Sequence, residues 1–277
     1  MLLAVARLAE NPGAMAQASQ VTGLPPADLS RRLAGILPRV LLPAIPGDQA
    51  ERMTDQLEAL GFVVFWCEAS AAPSDADRLV VHALDLEPSR DGTAGLCPAE
   101  PERGKQWKPS QGFHDSFFLA HDGQGQPHPC PGSAIALLQR GARVTVTCET
   151  VKTTARKLDM GKALLTGGLL LTSKVEKTTS KRHEQSEDIV LIQRSDGEPD
   201  LILYERRLDY RFLGRDKQPA SRANLDLTLA RLRALAPDAP FDDRAAKPGF
   251  VTGLPLTHTD PLDLALFLIS LARTRGC

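Results

Sequence analysis

The sequence predicts an α+β fold: a small N-terminal α/β sandwich followed by a β-rich antiparallel roll or barrel that ends in two helices. Three observations predict it. Residues 1–68 alternate short apolar runs with stretches of helical periodicity. Residues 113–213 hold six or seven apolar runs separated by the turn signals "DGQG", "RG", "DMG" and "SDGEP". Two strong helical patterns follow, at 220–236 and 261–272. The chain has 277 residues, 42% hydrophobic and 24% charged, enough for two ordinary domains with cores of their own. The expected division is a domain over 1–68, a linker over 69–78 and a second domain over 79–277.

The first elements follow from period and punctuation. Leu2 to Leu8 reads as a strand and "ENPG" as a turn. "AMAQASQVTG" reads as a helix stopped at Gly23, where glycine suits a left-handed cap. "ADLSRRLAGIL" places Leu29, Leu33, Ile36 and Leu37 on one helical face, and Pro38 closes it. "VLLPAI" is a brief extended piece. A third helix is expected from an Asp48 N-cap, with Ala50, Met53, Leu57 and Leu60 aligned, before Gly61 stops it and "FVVFWCEA" forms a strand.

"VTGL" (Val21 to Leu24), "LP" (Leu37, Pro38) and "AERMTDQLEALGFVV" (Ala50 to Val64) resemble the C-terminal domain of the bacterial ribosomal stalk protein. That family has a TGL turn, a proline-terminated helix and a helix of spacing A-x-x-L-x-x-x-L-x-x-x-G running into the last strand. The resemblance covers about a quarter of the chain and implies that family's small α/β fold. It also implies a partner-binding face on the first two helices. In the family lysines build that face; here it offers Gln17, Gln20, Asp28, Arg31 and Arg32. The face implied is therefore a general protein-docking surface, centred on Gln17, Gln20, Arg31 and Arg32.

"ASAAPSDAD" (69–77) is small, polar and proline-bearing, as a linker is. "RLVVHALDLEP" reads as one strand. Residues 89–112 lack apolar periodicity, which marks a functional or mobile loop. Trp107, between Lys105 and Lys108, is its one aromatic contact candidate. The β-type runs are "DSFFLAH", "SAIALLQR", "RVTVTCETV", "ALLTGGLLLTSKVEKTT", "DIVLIQRS" and "LILYERRLDYRFL". Strands followed by the stripe Leu225, Leu229, Leu232, Leu235 have the element order of a pleckstrin-homology-like roll. The last helix starts at Asp260 with Pro261 in its first turn. It is apolar on nearly all sides from Leu262 to Leu271, so it is buried between domains or against a sheet, or forms a homodimer seam.

Charge narrows the function classes. The formal net charge is -1, from 33 basic and 34 acidic residues, so bulk attraction to nucleic acid or anionic membrane is excluded and any such role is local. One local surplus exists. From Lys152 to Arg182 there are eight basic residues against Asp159 and Glu176. Lys174, Lys177, Lys181 and Arg182 are the candidate anion-binding side chains. The competing reading is a hairpin turning near His183, which sets Glu184, Glu187 and Asp188 against Lys177, Lys181 and Arg182 and neutralises them. No run approaches the roughly 20 apolar residues of a membrane span. Five scattered cysteines without CxxC fit reduced thiols and a cytoplasmic location.

Catalytic signatures fail one by one. "MGKA" lacks the glycine and the Ser or Thr of a phosphate-binding loop. "HEQSE" has no second histidine at i+4, and neither GxSxG nor GxGxxG occurs. His121, His128 and Cys130 around "DGQG" form the one metal-ligand candidate, with imidazole and thiolate as zinc donors. No cofactor is implied. The expected function is a non-enzymatic binding or adaptor protein whose partner is another protein. The alternatives are anion binding (phospholipid or nucleic acid) through residues 152–182, and an enzyme of unrecognised type.

Overall fold

Strand β1 (Leu2–Arg7) is the centre of the first sheet, flanked by β2 (Arg39–Leu42) and β3 (Val63–Cys67), both antiparallel to it. The structure, a computed structural model, describes residues 1–11, 13–86, 117–158, 172–247, 249–255, 257 and 259–277. Over 145–158 and 172–184, and at 252, only the backbone is described. Helices α1 (Ala14–Thr22), α2 (Pro26–Leu33) and α3 (Gly47–Ala59) cover one face of this sheet. There Leu29, Leu33, Met53 and Leu57 pack on Leu3, Val5, Leu41 and Val64. Gly23 caps α1 at φ 67, as its position in "VTGL" requires.

Two boundaries differ from expectation. Helix α2 ends at Leu33, because Ala34 is extended and Gly35 adopts φ 100, so Ile36 and Leu37 lie beyond the helix. Helix α3 begins after Pro46, which occupies the N-cap. Asp48 sits in the first turn and binds Arg52 at 2.9 Å, four residues on.

The opposite face of the first sheet is not bare. Leu2, Ala4, Ala6 and Phe65 belong to one apolar cluster with helix α5 (Pro261–Thr274) and with strands β9 (Thr172–Arg194) and β10 (Leu201–Tyr204). On α5, Leu262, Leu264, Leu266, Leu268 and Ile269 are each at most 2% exposed, and each such burial is worth about 1.5–3 kcal/mol. Asp260 caps α5, its Oδ1 accepting from Leu262 N at 2.8 Å and Asp263 N at 3.3 Å. The chain itself covers most of this helix and leaves only Phe267 and Leu271 partly buried, so the homodimer seam expected through Leu262–Leu271 has little apolar surface to use.

The second sheet runs β11 (Phe241–Asp242), β8 (Ile135–Leu158), β9, β10, β4 (Leu79–Val81). It is mixed, since β10 pairs in parallel with β4 and β11 in parallel with β8. An all-antiparallel roll was expected; among the described residues none of the sheets closes into a barrel. Ile189 and Leu191 face α5, while Val190 and Ile192 face helix α4 (Ser221–Leu235) through Leu225, Leu229 and Leu232. Both faces of β9 are covered there, which is why "IVLI" and "LILY" are continuous apolar runs.

Three expected turns and strands are corrected. The "RG" signal is no turn, since β8 runs unbroken through Gly141. A Cβ there would meet Leu262 Cδ1 at 2.7 Å, so the glycine serves close packing. Strand β9 likewise passes through His183 without turning, which removes the expected hairpin at that point. "LILYERRLDYRFL" is a strand only to Tyr204 and then turns into a 3-10 segment at Tyr210–Asp216.

"RLVVHALDLEP" is two strands, β4 and β5 (Ala83–Leu86), in different sheets. Strand β5 pairs with β6 (Phe117–His121), which pairs with β7 (Pro127–Pro131), all antiparallel. Opposed residues in such a ladder exchange amide bonds at every second pair. Pro127, Pro129 and Pro131 have no N–H, so the bonding pairs are Ala120 with His128 and Phe118 with Cys130. The three proline positions then face the edge that no strand among the described residues pairs with, and the Pro129 carbonyl there accepts from Arg194 Nη2 at 3.2 Å.

Residues 69–78, expected as a linker, form 3-10 turns at Ala69–Ala71 and Asp75–Asp77. Arg78 follows with its side chain 2% exposed, its Nη1 2.5 Å from Asp263 Oδ1. The chain divides into two compact units, Met1–Ala142 with Asp188–Cys277, and Arg143–Glu187. The described part of the second unit consists of strand segments 143–158 of β8 and 172–187 of β9.

Candidate functional site

The helix face expected to dock a protein is solvent-exposed. Gln17 and Gln20 on α1 and Arg31 and Arg32 on α2 are all exposed, but the two arginines are already engaged. Arg31 pairs with Asp28 at 3.0 Å, both well exposed, a contact of marginal strength. Arg32 Nη1 donates to Leu41 O at 2.7 Å and ties α2 to β2. Gln17 and Gln20 remain the exposed amides of that face.

The histidines and Cys130 do not converge. Residues directly opposed in a ladder share a face, and neighbours along a strand alternate. His128 and Cys130 oppose Ala120 and Phe118, so they share one face; His121 follows Ala120 and lies on the other. His121 Nε2 is 2.8 Å from Asp85 Oδ2, and His128 Nε2 is 3.4 Å from Asp122 Oδ2. Asp122 closes the turn, its Oδ1 accepting from the amides of Gln124 at 2.8 Å and Gln126 at 2.9 Å. The Gln126 amide first, and His128 beside it, hold that carboxyl below the usual range. Cys130 is 0% exposed, and burial pushes its thiol up to about 11, away from ligand or nucleophile chemistry at neutral pH. Cys67 is likewise pushed up by burial to about 11. Among the described residues no group of three His, Cys, Asp or Glu could hold a metal ion.

The basic segment is a unit of its own. Lys174, Lys177, Lys181 and Arg182 all lie on β9, within Arg143–Glu187. Their side chains lie outside the description, as does Trp107 altogether. The expected neutralisation by a hairpin at His183 is gone, because β9 is continuous there.

The ion pairs that join distant parts of the larger unit carried no local signal in the sequence. Arg78 and Asp263 are 185 positions apart. Arg140 on β8 reaches Asp188 on β9 at 2.6 Å and Asp226 on α4 at 2.7 Å. Asp242, 2% exposed at its side chain, receives Arg244 at 2.6 Å and Arg273 at 3.0 Å. Burial opposes ionisation of Asp242, but these hydrogen-bonded guanidinium groups hold its carboxyl below the usual range. Each of these pairs joins separate elements. No helix among the described residues is long and apolar enough to cross a membrane. Comparison with protein-family models, with curated proteins and with solved structures gives no match.

Proposed function

We propose that this protein works by binding, as an adaptor making protein–protein contacts, and that its unit of residues 143–187 meets an acidic protein surface. The observation that carries this reading is the separation of charge. Residues 143–187 contain nine Lys and Arg against five Asp and Glu, leaving 24 basic and 29 acidic residues in the rest of the chain. A unit of net charge +4 therefore belongs to a chain whose remainder is -5. The five acids interleaved with its basic residues leave a moderate surplus of positive charge, which suits an acidic protein surface. The segment also has no Phe, Tyr or Trp, and so lacks the stacking platform typical of single-stranded nucleic-acid binders.

A second contact surface is supported by the exposure of Gln17 and Gln20 beside Arg31. The order β-α-α-β-α-β with β1 central supports a stalk-protein-like fold for residues 1–68, and with it a docking role for α1 and α2. The pleckstrin-homology-like reading of the remainder keeps only a helix after strands in its favour.

The test compares the full chain with the Lys174→Ala, Lys177→Ala, Lys181→Ala triple variant. Retention is measured on immobilised polyglutamate, on heparin and on phosphatidylserine vesicles, as salt rises from about 50 to 200 mM. The adaptor reading expects salt-sensitive retention on polyglutamate that the triple variant weakens. Stronger retention on heparin or vesicles than on polyglutamate moves the assignment to anionic polymers or lipid. Equal behaviour of the two proteins ends the reading.

A further inference from the structure

A cleft of about 410 Å³ opens between α4, β8 and the segment around β11. Its apolar lining includes Leu229 and Phe241, and its charged lining includes Arg140, Arg222, Asp226, Arg233 and Lys247. The volume lies in the range of small-molecule sites. Helical spacing puts Arg222, Asp226, Leu229 and Arg233 on one face of α4, three to four residues apart.

Its charges are unequally satisfied. Arg140 is held by two carboxylates, Asp188 and Asp226. Arg222, 70% exposed, reaches only to 3.4 Å from Asp188, which Arg140 already occupies. Lys247 pairs with Asp243 at 3.0 Å, both about half exposed, an arrangement easily exchanged for another anion. Arg233 lies over the Phe241 ring, 4.8 Å from its centroid, and has no carboxylate within ion-pair distance among the described residues. The four cations of the cleft thus share three carboxylate partners, of which Asp226 and Asp243 line it, and the surplus charge sits on a guanidinium beside an aromatic ring. A guanidinium can fork to a carboxylate or phosphate, while Leu229 and Phe241 offer apolar surface to whatever carries that group.

We propose that this cleft binds a small organic anion, a carboxylate or phosphate monoester with an apolar body. Arg233 and Arg222 take the anionic group, Lys247 leaves Asp243 to assist, and Phe241 and Leu229 hold the body. The site is independent of the basic unit 143–187.

The probes are phenyl phosphate and benzoate, with inorganic phosphate and the neutral benzyl alcohol as comparisons, each titrated into the full chain by calorimetry. Phenyl phosphate or benzoate is expected to bind, and Arg233→Ala to weaken it roughly tenfold or more, the size of a charge-assisted hydrogen bond. Arg222→Ala is expected to weaken it less. Both side chains are exposed, so unchanged melting curves certify the fold. The triple lysine variant is expected to bind the probes as wild type does, which separates this site from the adaptor surface. The proposal is overturned if neither aromatic anion binds, if Arg233→Ala leaves their affinity unchanged, or if inorganic phosphate or benzyl alcohol binds equally well.

Discussion

Asp263→Ala removes the closest carboxylate from Arg78, whose side chain is 2% exposed, and leaves a buried cation. The nearest remaining acid is Asp75, 3.8 Å from Arg78 Nη1 with its side chain 34% exposed, so it compensates only in part. Breaking one side of a buried pair costs about 3–5 kcal/mol. Asp75 places the expected loss near the lower end, about 3 kcal/mol. At roughly 2–4 °C per kcal/mol for a chain of this size, the melting temperature falls by roughly 6–12 °C. Replacing both partners, Arg78→Met with Asp263→Leu, leaves no unpaired charge and is expected to cost far less than the sum of the single changes. Asp263→Asn removes the charge but keeps the side chain's volume and an oxygen acceptor for Arg78, so it separates loss of charge from loss of packing. Urea unfolding followed by far-UV circular dichroism measures the wild type, these variants and the two single changes Arg78→Met and Asp263→Leu. A loss below about 1 kcal/mol for Asp263→Ala, or a double variant as unstable as the two singles added together, refutes the reasoning.

Two carboxylates are expected to respond to pH in opposite senses. Asp242 is held below the usual range, so its stabilisation is present above the unfolded value of about 3.9 and is lost as pH falls through the folded value; Asp242→Asn should flatten the acid limb of a urea-midpoint profile. Burial pushes Asp200 up, against the opposing amide of Arg194, so its contribution is lost as pH rises through the folded value; Asp200→Asn should leave midpoints at neutral pH unchanged or higher. Gly141→Ala should destabilise by about 1–3 kcal/mol, because Leu262 is 2% exposed and cannot swing clear of the added methyl; a Leu262→Ala background should remove most of that cost, read from the same unfolding curves. In the folded protein, maleimide should label Cys277, which is half-buried, before Cys67 and Cys130, as peptide mass spectrometry would show; early labelling of Cys130 would contradict its burial.

The elements most legible in the sequence were those with a local cause. Gly23 and Gly61 at positive φ, the Asp260–Pro261 start of α5, and the stripe of Leu225, Leu229 and Leu232 all act within a few residues of themselves. What was illegible depends on distant partners. Gly141 looks like a turn residue until Leu262 is packed against it. The parallel pairing of β4 with β10 follows from neither strand alone, because a period-2 pattern carries no direction. The same holds for the sites. Gln17, Gln20 and Arg31 lie exposed on their helices, whereas strand alternation, which the proline spacing only hinted at, puts His121 on the other face of its ladder from His128 and Cys130. The Arg140, Asp226 and Arg233 cleft has no sequence signature, since its charges come from β8, α4 and the segment after β11 together.

The prolines of β7 carry a consequence for how copies of this chain meet. A sheet grows when a newcomer finds donors and acceptors alternating along a border; here every outward donor position is proline, and Arg194 occupies one of the acceptors. A fourth strand would have carbonyls to greet it and no amide protons to receive its own. Crowded at high concentration, this margin of the molecule should stay unzipped, and any self-association should start elsewhere.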